Sequence, residues 1–341
     1  MDKGDIRIKN AIVHIMDSAV GMPVLSDTAL SPGPDMADFL AEHIYKTLAS
    51  DDIKKCRFIE EESEVFKIIK DYKDGAAEVI PVSKSIGEHL YGIMNSNIDI
   101  PSGDLFIIEF EINQIPQLAL LKMNFKECYT HSTISEGGEN TNTIMRRRSI
   151  LPGAGSRLSE AAVIRLDDLT IKLVEKKYEV NGQKVNYFSR LFLNCTTRLS
   201  QKAKLAIVEK AVESVQKEFF NESEQFEEKM KAKSVIHEEI AEQGSISIPE
   251  VAAKIFENKA ELKEKFKEKL EKYNINEQEP IEPQNEATTR KFGKQHLTTD
   301  TGIEIKIPIE QYNSTESIEF ITNDDGTISV LIKNIGHITS K

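Results

Sequence analysis

Apolar and polar residues alternate from Ile6 to Met16, with Ile6 and Ile8 on one phase and Ala11, Val13 and Ile15 on the other. Alternation of period two predicts a strand, and the phase slip near Asn10 predicts a β-bulge within it. Ser31-Pro32-Gly33-Pro34 breaks the chain, Asp35 is the expected helix cap, and Met36, Phe39, Leu40, His43, Ile44, Tyr45 and Leu48 then recur at helical spacing. Further helices are predicted over 63–74, stopped by Gly75, and over 82–94, with Ile86, Leu90 and Ile93 on one side. The apolar runs 105–112 and 118–125, separated by a short turn, predict the central hairpin of an antiparallel sheet.

Residues 130–143 are rich in Ser, Thr, Gly and Asn, including Gly137-Gly138, and are expected to be a mobile loop. Beyond it, 161–166 and 170–174 are strand-like around the turn Asp167-Asp168, so that Arg165 and Lys172 project from one small sheet. After the turn signal Asn181-Gly182, the segment Tyr187–Leu193 is expected to open a helical region. Leu205, Val208, Val212, Val215, Phe219 and Phe226 step by threes and fours for most of their length, which predicts one long helix whose seam either packs within the chain or joins a homodimer through 205–226. Ile248-Pro249-Glu250 starts another helix, Leu262, Phe266 and Leu270 continue the spacing, and 274–285 is a linker by composition. Strict alternation over 303–307, 318–320 and 328–332, with a turn at Asn323–Thr327, predicts a small β unit.

These elements define an α+β protein: an N-terminal antiparallel sheet with flanking helices, a basic middle segment, a helical section and a small C-terminal β unit. The chain has 341 residues, enough for two or three cores at ~100–200 residues each. The expected division is an α+β domain over 1–180 that includes the basic strand segment 141–180, a helical region over 181–275, and the β unit over 286–341. Cys56, Cys128 and Cys195 are spaced too widely for a disulfide framework or a zinc site, which fits a reducing, cytoplasmic interior. No signal core or bilayer-length apolar window is present, so no membrane role is expected.

The net charge of −12 argues against a nucleic-acid partner until its distribution is examined. Residues 141–210 hold 14 Lys and Arg against 6 Asp and Glu, whereas 1–140 hold 13 against 24 and 211–341 hold 17 against 26. A basic middle between acidic ends points to a localised anion-binding face. Its candidates are Arg146, Arg147 and Arg148, then Arg157, Arg165, Lys172, Lys176 and Lys177, with Arg198, Lys202 and Lys204 beyond. Adjacent guanidinium forks suit successive phosphates, while the alternative reading is a surface cluster facing carboxylates of the same protein.

Ordered segments carry a resemblance. Asn10-Ala11-Ile12-Val13-His14, Phe39–Ile44, Gly103-Asp104-Leu105, Tyr187-Phe188 with Phe192-Leu193, Ile248–Phe256, Gly302–Lys306 and Asp325–Val330 follow in sequence. Together they resemble the bacterial nucleoid-associated NdpA/YejK family over nearly the whole chain. The resemblance implies association with the bacterial chromosome at the nucleoid, with double-stranded DNA as partner either directly or through a DNA-bound protein. It implies no cofactor and supplies no catalytic residue. The expected function is non-catalytic contact with the phosphate backbone. The alternative is an adaptor that binds a DNA-processing protein without touching DNA. A third reading, a metal-dependent nuclease, rests on Glu304-Ile305-Lys306, but alternation puts Glu304 and Lys306 on the solvent side of a strand, and no catalytic or metal-binding residue is assigned.

Overall fold

Residues Ile6–Met16 form β1, and its pairing slips between Ile8 and Asn10, where the phase change predicts a bulge. Helix α1 (Pro34–Leu48) is capped by Gly33 and not by Asp35, because Pro34 takes the first helical position. Asp35 instead lies in the first turn, where its carboxylate meets the positive end of the helix dipole. Strand β2 (Lys54–Phe58) leads to α2 (Glu64–Lys73), whose cap Ser63 accepts the Phe66 N–H at 3.0 Å, and to α3 (Val79–Asn95). Strands β3 (Gly103–Ile112) and β4 (Ile115–Asn124) are the central hairpin, turned by Asn113 and Gln114 at φ of 52° and 64°. The computed structural model describes residues 2–31, 33–137 and 139–339, so Pro32 of the chain break and Gly138 of the expected loop lie outside the described residues.

The expected loop over 130–143 is instead a ribbon, in which β5 (Lys126–Glu136) pairs antiparallel with β6 (Glu139–Ile150). Its exposed strands have no buried face to leave an apolar alternation, so only the strand preference of Thr, Ile and Tyr marked them. Strands β7 (Glu160–Arg165) and β8 (Ile171–Val174) join the main sheet and form no small sheet of their own. Strands β9 (Tyr178–Val180) and β10 (Gln183–Val185) flank the Asn181-Gly182 turn, and β11 (Cys195–Thr197) ends the series.

The main sheet has the order β1-β3-β4-β7-β8-β2-β11 and is antiparallel throughout. On one face Leu105, Ile107, Leu120 and Ile164 pack with Ile69 of α2 and Ile86 and Leu90 of α3. On the other Phe106, Ile108, Leu121 and Val163 pack with Leu40, Ile44 and Leu48 of α1. Both faces of the central hairpin are therefore covered, which is why its sequence is apolar without alternation. Tyr187–Leu193 opens no helical region: it is a π-helical turn, Phe188–Phe192, whose aromatic rings lie in the core with β7 and β8.

Asp104 sits at the start of β3 with one carboxylate oxygen buried and unpartnered. Burial, and then the charge of Asp17, raise its pKa to about 6. The native carboxyl thus holds its proton over a pH range in which the unfolded one has lost it, and stability falls as pH rises from 3.8 to about 6. Asp104→Asn is expected to stabilise the protein by about 1–2 kcal/mol at pH 7, after discounting for partial exposure, and by little at pH 4. Urea denaturation at the two pH values checks this.

Two compact units result, Met1–Leu199 and Ser200–Lys341. In the second, α4 (Gln201–Phe219) and α5 (Glu222–Gln243) replace the expected continuous helix over 205–226. Asn221 starts α5 by accepting the Glu224 N–H at 3.1 Å, while the Glu224 carboxylate accepts the Asn221 N–H at 3.1 Å. Helices α6 (Ile248–Phe256) and α7 (Ala260–Glu271) complete the bundle. Leu205, Val208, Val212 and Val215 are buried in the same core as Leu262, Phe266 and Leu270, so the seam considered for a homodimer is consumed within the unit.

Residues 274–285 are no free linker, because Ile246 and Ile281 exchange main-chain hydrogen bonds of 2.8 and 3.0 Å and Ile275 and Ile281 are buried. After the short α8 (Glu286–Arg290), β12 (Lys294–Thr298) pairs with β13 (Glu304–Pro308). The single turn α9 (Ile309–Tyr312) then leads to β14 (Ile318–Thr322), which pairs with β15 (Ile328–Ile332). These hairpins pack on α5: Gln295 donates to the Met230 carbonyl at 3.2 Å, and the Phe226 and Phe320 rings are 5.6 Å apart. No helix among the described residues is long and apolar enough to cross a membrane.

Candidate nucleic-acid interface

At the edge of the main sheet the two faces differ. Cys56, Ile171, Leu173 and Cys195 point to the α2 and α3 side and are buried, so the residues between them must point the other way. There Lys55, Arg57, Lys172 and Thr196 are all exposed. Lys55 lies directly opposite Lys172, and Thr196 directly opposite Arg57. The ladder continues one step past β11, where the Arg198 N–H donates to the Lys55 carbonyl at 3.0 Å. Lys172, Lys55 and Arg198 therefore form a row of three cations across β8, β2 and the end of β11, at the ~4.8 Å spacing of neighbouring strands.

Like charges set directly opposite on neighbouring strands repel. Among the described residues no carboxylate forms an ion pair with Lys55, Arg57, Lys172 or Arg198. Partial burial, followed by the positive charges of Lys55 and Arg165, holds the Lys172 ammonium below its ordinary pKa. Arg165 follows Val163 on the same face of β7, but its guanidinium is bonded to both oxygens of Asp167, with Asp168 at 4.0 Å, and that pairing raises its pKa.

The structure thus unites Arg165, Lys172 and Arg198 of the predicted set, and it adds Lys55 and Arg57. Both lie outside the basic window 141–210, and the only signal for them was the alternation of Lys55, Cys56 and Arg57 along a short strand. The remaining candidates lie elsewhere. Arg146, Arg147 and Arg148 are on β6, near the root of the ribbon that follows β4, whereas Arg165 pairs with Gln117 towards the opposite end of β4. Arg146 is bonded to Glu127, Arg148 lies 4.0 Å from the same carboxylate, and Arg147 has no ion-pair partner among the described residues. Arg157 lines a small hollow with Lys46, Asp52 and Val174. Lys176 lies over the Tyr178 ring at 5.7 Å, and Lys177 is exposed after β8. Lys202 and Lys204 belong to the second unit, and Lys204 is 8% exposed and bonded to Glu279 at 2.8 Å, which removes it from any free cationic face.

The nuclease reading meets an ordinary strand surface. Glu304 and Lys306 are exposed on β13, 3.9 Å apart, and the next neighbour of Glu304 is His296 at 3.5 Å and not a second carboxylate. Among the described residues no three His, Cys, Asp or Glu side chains gather as metal ligands. The second unit does hold a groove of about 590 Å³ between α4, α5 and β12, lined by Val212, Phe226, Met230 and Phe292 and by charges of both signs, with Glu213 paired to Lys229 and Glu209 to Lys291.

A layered antiparallel unit with a cationic strand edge, followed by a helical unit, describes an α+β protein with one local cationic face on an acidic chain. The sequence model of the nucleoid-associated protein YejK family matches residues 12–338, and the chain belongs to that family. No curated protein sequence matches the chain.

Proposed function

We propose that this nucleoid-associated protein touches duplex DNA directly, without catalysis, through the phosphate backbone. The observation that carries the reading is the row Lys172–Lys55–Arg198, flanked by Arg57 and Arg165. Its mutual repulsion is a standing cost to the fold, and an anion laid along it reverses the sign of that cost. Phosphates on a duplex displace their condensed counterions when they meet such cations, which supplies the affinity and makes it salt-dependent. The net charge of −12 then confines contact to this edge, because the remaining surface is repelled.

Replacing Lys55, Lys172 and Arg198 together by alanine should weaken binding to a random-sequence duplex and reduce the slope of log affinity against log salt by about two to three, at ~0.9 per phosphate contact. Arg165→Ala should change the slope little, since Asp167 already neutralises that guanidinium. The triple variant should also melt slightly higher, because it loses only repulsion. A slope unchanged from wild type would remove this edge from the interface.

A second reading, the adaptor, draws on the groove in the second unit, whose apolar residues between paired charges suit an amphipathic segment of a DNA-bound protein. The two readings separate on one measurement. An adaptor shows no salt-dependent affinity for bare duplex at any ionic strength.

A further inference from the structure

The ribbon of β5 and β6 is the part of the first unit that its own fold leaves bare. Every residue of β6 is exposed, and Tyr129, Ile134, Ile144 and Met145 keep 72%, 51%, 71% and 40% of their surface in solvent. A two-stranded hairpin alone is marginal in water, and apolar side chains gathered on such an element mark a protein contact. Among the described residues the ribbon contains only these two strands, so the outer edge of β6 offers unpaired N–H and C=O groups to another strand. No proline interrupts β6, and the one irregularity of pairing lies at the root, between Lys126 and Cys128.

Charge is graded along this arm. The root carries Lys126, Arg146, Arg147 and Arg148 against Glu127 alone, while the turn end carries Glu139, preceded in sequence by Glu136. An arm that enters a DNA groove would present its turn end to phosphate, and here that end is acidic. A second copy laid antiparallel across the first places each acidic end on a basic root, and two-fold symmetry repeats the match. We infer that β6 pairs edge to edge with β6 of a second copy, about a two-fold axis at Thr143, joining the ribbons into a four-stranded sheet. In that register Arg147 lies opposite the partner's Glu139. Arg147 has no ion-pair partner among the described residues, whereas Arg146 and Arg148 face Glu127 of their own ribbon. The inference uses none of the cations on the main sheet edge, so it stands or falls apart from the DNA contact.

Sedimentation equilibrium of the full chain over a concentration series tests it. The wild type should dimerise. Arg147→Glu and Glu139→Arg should each raise the dimer dissociation constant by about tenfold, since every change acts twice across the axis. The double variant, with the charges exchanged, should return to within about threefold of wild type. Far-UV circular dichroism should be unchanged, as should the melting midpoint at concentrations where every form is monomeric, since the substitutions are exposed. A wild type that stays monomeric overturns the inference, as does a dimer indifferent to both single changes or a double variant no tighter than the singles.

Discussion

Gly103→Ala is expected to lower the stability of the first unit by about 3 kcal/mol, although it adds a single methyl group. A β-carbon on residue 103 would stand 2.4 Å from the Met123 carbonyl oxygen and 2.9 Å from the Asn124 α-carbon. Those are main-chain atoms of β4, so no rotamer change relieves the clash. Residue 103 is also paired with Met16 of β1, which blocks retreat in the other direction. The strands must part where three of them meet, and the hydrogen bonds of the hairpin end are lost with the packing. Denaturant unfolding, with amide hydrogen exchange over 103–124 to locate the loss, measures the effect. A midpoint equal to wild type would mean that this end of the hairpin separates freely.

Glu160→Leu should cost nearly as much, by a different route. Lys122 and Glu160 face each other across β4 and β7, and neither is exposed. The Lys122 ammonium donates to the Pro101 carbonyl at 2.7 Å and to the Asn124 side chain, whose amide donates to Glu160 at 2.8 Å. Burial lowers the Lys122 pKa to about 8 even though the Glu160 charge supports its proton. Burial likewise raises the Glu160 carboxyl above the usual carboxylate range, against the pull of Lys122, Tyr178 and Asn124. Leucine at 160 would leave a buried ammonium with no counter-charge, a loss of about 3 kcal/mol at pH 7.

The pH dependence separates charge from packing. Native Lys122 releases its proton near pH 8 and the unfolded residue near 10.5, so between these values the unfolded chain binds more protons and this group's contribution to stability rises with pH. By pH 9 the native lysine is mostly neutral, and the penalty for losing Glu160 should shrink. Equal losses at pH 7 and pH 9 would leave packing alone as the cause.

Much of the fold was legible because burial writes itself into the order of residues. The bulge in β1, helices α2 and α3, the β3–β4 hairpin and the β7–β8 turn all have at least one buried face, and a buried face imposes a period. Where burial is absent the pattern fails, as in the ribbon. Where a break is set by a cap, the apolar spacing can run past it: α4 ends at Phe219 and Asn221 caps a new helix while Phe226 still appears to be in step. The segments that carry the family resemblance prove to be largely packing. Ala11 and Ile12 are wholly buried, His14 bonds to Ser83 at 3.1 Å in the core, Gly103 sits at the closest strand contact, and Val251, Ile255 and Phe256 fill the second core.

The candidate interface was less legible, and for a physical reason. A window count of charge detects cations that are neighbours in sequence, but a surface is made by neighbours in space. Local order alone determined the α+β class, the family and the presence of a basic middle. Only the antiparallel ladders decided that Lys55 and Arg57 stand with Lys172 and Arg198, and only the packing of the second unit decided that Lys204 is paired with Glu279 and buried. Pairing between distant strands is a long-range choice made by the whole core, and no short stretch of chain contains it.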